Sequence, residues 1–179
     1  MEQRQKYTVE YVERLPEDAR AELIDGELYN MATPSGTHQE IQMLLSYNIY
    51  DYIKKGEGHC KVFTAPYAVY LDEYTFLEPD VAVICDKSKL DNKGCHGAPD
   101  WFIEITSPST SRIDYIKKLN KYDEAGVRLY WIVNPITQKV LVWYFERGDY
   151  IEYSFGNEIP VDIYPDLSIT IPKDIGWDE

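Results

Sequence analysis

Two short apolar runs in this chain each carry an acid where an acid is expensive. They read Glu78-Pro79-Asp80-Val81-Ala82-Val83-Ile84 and Asp100-Trp101-Phe102-Ile103-Glu104-Ile105-Thr106. Both have the β-branched and aromatic content of strands. A carboxylate buried among such side chains is costly unless a cation or hydrogen-bond donors meet it. Any fold must therefore bring compensating groups to Glu104, and to Asp80 if its strand is buried. Alternate side chains of a strand share a face, so Phe102, Glu104 and Thr106 point one way and Trp101, Ile103 and Ile105 the other. Asp80 points with Ala82 and Ile84.

If the two strands pair with these faces in agreement, the carboxylates form a seat for a hard divalent ion. Mg²⁺, or Mn²⁺ in its place, would sit about 2.0–2.1 Å from its oxygen ligands, with the Ile105 carbonyl as a further ligand. Such an ion polarises a phosphate oxygen and lowers the pKa of an attacking water, and a nearby lysine stabilises the developing charge. The pattern points to phosphodiester hydrolysis. Each acid also has a structural reading: Asp80, following proline, as a turn cap, and Glu104 as the partner of Lys118 or Arg112 in a salt bridge.

With 179 residues, 44% apolar and 27% charged, the chain is expected to form a single globular domain over residues 1–179. No apolar run approaches the roughly 20 residues of a membrane helix. The polar N-terminus, Met1-Glu2-Gln3-Arg4-Gln5-Lys6, lacks the apolar stretch of a secretion signal. Cytoplasm is the expected compartment. Three cysteines, Cys60, Cys85 and Cys95, are an odd number without a Cys-x-x-Cys pair, which argues against a disulfide framework. His59-Cys60 and Cys95-His96 offer zinc-ligand types, but adjacent pairs lack the usual ligand spacing.

The net charge of −13 counts against a general nucleic-acid binder, which would carry a basic face. Local charge differs. Lys87, Lys89 and Lys93 follow the Asp80 strand, and Arg112, Lys117, Lys118 and Lys121 follow the Glu104 strand.

Thr8 is expected to cap a short helix through Leu15. Asp25-Gly26 supplies a two-residue turn within a hairpin over Ala21–Tyr29. Residues 36–55 carry Ile41, Leu44, Leu45, Ile49, Tyr52 and Ile53 at helical spacing, with Gly56 as a stop. Strands are expected at Lys61–Thr64, Tyr67–Leu71, Asp80–Cys85, Trp101–Thr106 and Leu129–Val133. A second helix is expected over Ser109–Ala125, with Ser109, Thr110 or Ser111 as its cap, and a closing hairpin over Lys139–Glu146 and Tyr150–Phe155. This order is α/β or α+β: a mixed sheet with helices packed on it. Ser107-Pro108-Ser109-Thr110 has no nearby histidine and no Gly-x-Ser-x-Gly elbow, which argues against serine-hydrolase chemistry.

Several segments occur in this order along the chain: Asp25-Gly26-Glu27, Pro79-Asp80-Val81, Ala98-Pro99-Asp100, Glu104-Ile105-Thr106-Ser107-Pro108-Ser109-Thr110, Lys118-Leu119-x-x-Tyr122, Ala125-Gly126-Val127 and Tyr130-Trp131-Ile132-Val133. In this the chain resembles a restriction-endonuclease-like family, long catalogued as a domain of unknown function, within the PD-(D/E)xK nuclease superfamily. The resemblance runs from about Thr8 to Leu167. It implies a restriction-endonuclease-like core, a central mixed sheet flanked by helices, and a Mg²⁺-dependent centre acting on DNA, with Asp80 and Glu104 as metal ligands.

The superfamily pattern sets lysine two residues after the acid, where this chain has Thr106. The family's lysine lies on the following helix, which makes Lys118 the match. Lys117, about 100° around a helix from it, is the rival. An early acid is also implied: Glu22 from the hairpin, with Glu27 and Glu40 as rivals, and His38 at the start of the long helix. Two other functions fit the same residues. One is a non-enzymatic interaction module on a nuclease-like fold, favoured by Thr106 and by the acidity. The other is metal-dependent hydrolysis of a different phosphoester. Cutting both strands of a duplex would suit a twofold homodimer.

Overall fold

The computed structural model describes residues 6–16, 19–57, 59–108 and 113–176. The chain opens with α1 (Val9–Glu13), the hairpin β1 (Ala21–Ile24) and β2 (Glu27–Asn30), then α2 (Gly36–Tyr52). Next come β3 (Lys61–Thr64), β4 (Val69–Asp72), β5 (Thr75–Leu77), β6 (Val81–Ile84), β7 (Cys95–His96) and β8 (Trp101–Ile105). A helical segment ending in α3 (Leu119–Ala125) leads to β9 (Leu129–Asn134), β10 (Lys139–Tyr144) and β11 (Asp149–Ser154), and the hairpin β12 (Glu158–Val161) and β13 (Tyr164–Thr170) closes the chain.

Six strands form the central mixed sheet, in the order β11-β10-β9-β8-β6-β3. β8 and β9 are parallel, joined through the α3 helix, and the other pairs are antiparallel. One face packs on Ile41, Leu45 and Ile49 of α2 and on the β12–β13 hairpin, through Val81, Val83, Trp101, Ile103 and Trp131. The other face, with Ala82, Ile84, Phe102, Tyr130 and Ile132, packs on Tyr122 of α3 and on a second sheet of order β2-β1-β5-β4-β7. Covering both faces explains why β6, β8 and β9 are apolar almost throughout rather than alternating.

The expected strands and helices are present, with altered bounds. The Asp25-Gly26 turn has both residues at positive φ, 51° and 84°, as a primed hairpin turn requires. Ser35 caps α2 by accepting from the His38 N–H at 3.2 Å. Thr8 stands at the N-cap of α1 but makes no side-chain capping bond, and that helix ends at Glu13. β5, β7 and the β12–β13 hairpin are additions: they are too short, or too interrupted by Pro160, Asp162 and Pro165, to carry a strong periodic signal. The second helix is described from Ile113 only. Its proposed caps Ser109, Thr110 and Ser111, together with Arg112, lie outside the described residues.

The disulfide expectation is corrected. Cys60 and Cys85 are bonded, their Cα atoms 3.9 Å apart. The β3–β6 ladder pairs Lys61 with Ile84, and one further step sets Cys60 opposite Cys85. Spacing along the chain carries no trace of that cross-strand pairing. Cys95 is buried, and burial pushes its thiol up to about 11. No helix among the described residues is long and apolar enough to cross a membrane.

A thiol titration checks this arrangement. Native protein should show no rapidly reacting thiol at neutral pH, denatured protein one, and denatured, reduced protein all three cysteines.

Candidate active site

The register of β6 against β8 pairs Val81 with Ile103 and Ala82 with Phe102. Continued one step, it sets Asp80 opposite Glu104, on the face of Ala82 and Phe102. Such cross-strand neighbours have Cβ atoms about 4.5–5.5 Å apart. Asp80 lies just before β6, where the ladder opens. Its carboxylate Oδ2 accepts the Ile105 N–H at 2.7 Å and lies 3.1 Å from His38 Nε2. Its carbonyl accepts from Gln42 Nε2 at 2.8 Å and from the Ala65 N–H at 3.2 Å. Backbone and carboxylate are thus fixed from three elements.

Glu104 is 5% exposed and Lys118 4%. The Lys118 ammonium lies 2.8 Å from Glu104 Oε1 and 2.8 Å from Glu22 Oε2. Tyr122 Oη donates to Glu104 Oε1 at 2.9 Å. Glu22, on β1 and 6% exposed, accepts the Glu78 N–H at 3.0 Å through Oε1. One ammonium therefore links the central sheet, the second sheet and the helix. Residues 113–118 form a π-type turn that runs into α3, a local irregularity common at functional sites. It delivers Lys118 inward and leaves Lys117 at the surface.

These groups line a cavity of about 570 Å³ that includes Glu22, His38, Gln42, Asp80, Glu104, Ile105, Thr106 and Lys118. Thr106 directly follows β8, two residues after Glu104, and Lys118 brings its ammonium to Glu104 from the helical segment instead. The structure separates the rivals. Lys117 pairs with Glu27 and the Tyr29 hydroxyl. The Glu27 contact and that with Tyr29 hold its ammonium above the usual lysine range. Glu40 is exposed and accepts from the Gly176 N–H at 3.1 Å. Burial alone would lower the Lys121 pKa, but bonds to Asp25 and Asp72 raise it. The downstream cations near the site, Lys117 and Lys121, are thus already engaged by acids.

Three residues of the site escaped sequence reasoning. Gln42 breaks the apolar stripe of α2 and is buried there, a signal that was present. Tyr122 reads as core, and only its hydroxyl contact distinguishes it. Arg20 lines the cavity and pairs with Glu78 at 2.7 Å, a meeting of residues far apart in sequence.

A cavity at the open end of a β6–β8 pair, in a mixed sheet covered on both faces, is the arrangement of a restriction-endonuclease-like fold. A solved structure from Anabaena variabilis, described as a "putative nuclease belonging to DUF820", has this fold with a TM-score of 0.77 at 23% identity, over 93% of this chain and 96% of that one. The chain belongs to the Uma2 family, described as "Putative restriction endonuclease", whose profile matches residues 8–172. No curated protein matches the sequence significantly.

Removing the shared ammonium should leave two buried carboxylates short of their cation. Lys118→Ala is expected to cost about 3–5 kcal/mol, and Lys117→Ala, on an exposed pair, under about 1 kcal/mol. Parallel denaturant titrations of the two variants read the difference directly.

Proposed function

We propose that this protein is a divalent-metal-dependent nuclease acting on DNA. The observation that supports the reading is the β6–β8 register, which continued one step sets Asp80 opposite Glu104, and both residues line one cavity. The donor set fits Mg²⁺ or Mn²⁺: two carboxylates and, at Ile105, a backbone carbonyl, all hard oxygens. Among the described residues, both contacts of the Asp80 carboxylate use Oδ2. The buried His38 Nδ1 has no hydrogen-bond partner among the described residues.

Asp80, Glu104 and the Ile105 carbonyl would hold the ion. When bound, it would polarise a phosphate oxygen and lower the pKa of the attacking water. Lys118 stands beside Glu104 as the donor that meets charge developing on the phosphate. Glu22 holds that ammonium in place from the second sheet. Tyr122 and Lys118 share Glu104 Oε1, which fixes the carboxylate's orientation, and His38 does the same for Asp80. Arg20 at the cavity wall offers a further cation to a phosphate. In a twofold dimer, two such cavities would serve the two strands of a duplex.

A second reading rests on one observation. The Lys118 ammonium already occupies the place between Glu22 and Glu104, so these acids are neutralised in part without a metal. With the net charge of −13, this favours a non-enzymatic interaction module.

Incubating purified protein with supercoiled plasmid and Mg²⁺ or Mn²⁺ separates the two. Nicking or linearisation is expected, blocked by EDTA and reduced at least ~100-fold in Asp80→Asn and Glu104→Gln, since even residues behind metal ligands cost 10–100-fold. Calorimetric titration should show a divalent ion bound by the wild type and lost in both variants. Absence of cleavage together with absence of binding would leave the interaction module.

A further inference from the structure

A second cluster of ligand atoms lies at the end of β3 and β6 opposite to Asp80. Cys60 directly precedes β3 and Cys85 directly follows β6, and they face each other across the ladder. His59 is the next residue outward. One ligand nitrogen of its imidazole and the two sulfurs all lie within 4.8 Å of one another. Cys60 is buried, Cys85 half-buried and His59 exposed. The Cys85 N–H donates to Asp100 Oδ2 at 2.7 Å, which anchors that side of the cluster.

The donor chemistry differs from that of the cavity. Carboxylates and carbonyls suit Mg²⁺, whereas two thiolates and an imidazole suit Zn²⁺. A disulfide has no use for the imidazole, and it is the imidazole that turns the cysteine pair into a three-point chelate. The adjacent His59-Cys60 pair has no zinc spacing along the chain because the third donor arrives across the strands. The exposure of His59 leaves the fourth tetrahedral position to water.

We infer that His59, Cys60 and Cys85 form a Zn²⁺ site gated by reduction. A dithiol reductant gives up two electrons and two protons and closes into its own disulfide, while the Cys60–Cys85 bond opens into two thiols. Zn²⁺ then displaces both thiol protons to solvent and binds the two thiolates and the neutral imidazole. Either state, disulfide or zinc-bound, cross-links β3, the edge strand of the central sheet, to β6. The site is independent of the nuclease reading.

Protein reduced with a phosphine and stripped of metal is titrated anaerobically with Co²⁺, then with Zn²⁺. One equivalent of Co²⁺ should give thiolate-to-cobalt charge-transfer bands and tetrahedral d–d absorption, both erased by Zn²⁺, and the oxidised protein should give neither. His59→Ala should weaken binding at least ~10-fold, and Cys60→Ser and Cys85→Ser should each abolish the tetrahedral dithiolate spectrum. Metal at Asp80 and Glu104 produces no thiolate band, so failure of the nuclease reading leaves this result untouched. Reduced wild-type protein without such bands overturns the inference, and that measurement needs no variant to fold. Bands and affinity unchanged in His59→Ala overturn it as well.

Discussion

A single ammonium decides how this molecule is put together. Lys118 is almost fully buried, and its charge is shared by Glu22 of the second sheet and Glu104 of the central one. Neither acid could be taken out of water alone at an acceptable free energy. The helix must therefore pass close enough to both sheets for one side chain to reach both. The apolar packing around Phe102 and Tyr122 is compatible with many small shifts, but a charge-assisted contact at 2.8 Å is not. The π-type turn at residues 113–118 and the inward rotation of Lys118 fit this demand better than a regular helix placed by its apolar stripe alone.

The same arrangement gives the cavity its character. Glu22, Glu78, Asp80 and Glu104 supply four carboxylates, while Lys118 and Arg20 supply cations, each already paired with an acid. Elsewhere Lys117 and Lys121 are likewise committed to acids of the β1–β2 hairpin and of β4. Among the described residues, the lysines that follow β8, namely Lys117, Lys118 and Lys121, are thus each paired with acids rather than left as an open electropositive track.

Much of the architecture was legible because it rests on short-range regularities. Alternation along Trp101–Thr106 assigned the two faces of β8. Helical spacing of Ile41, Leu45 and Ile49 assigned the buried side of α2. Asp25-Gly26 required a tight turn, since few other pairs tolerate two positive φ values. The weak strands β5 and β7 and the β12–β13 hairpin were illegible because their ordering comes from partners rather than from their own pattern. The split into two larger sheets had the same origin.

By itself the sequence determined that Glu104 sits within one apolar strand and Asp80 at the head of another, that lysines follow, and that the chain forms a mixed sheet with helices. These are local properties of composition and period. Only the tertiary structure decided which lysine turns inward, that Glu22 rather than Glu27 or Glu40 joins it, and that Cys60 meets Cys85. The first depends on the π-type turn that leads into α3, and the other two on how strands distant in sequence are set against one another. A shift of one residue in register would reverse every face, and no single segment carries the information that excludes it.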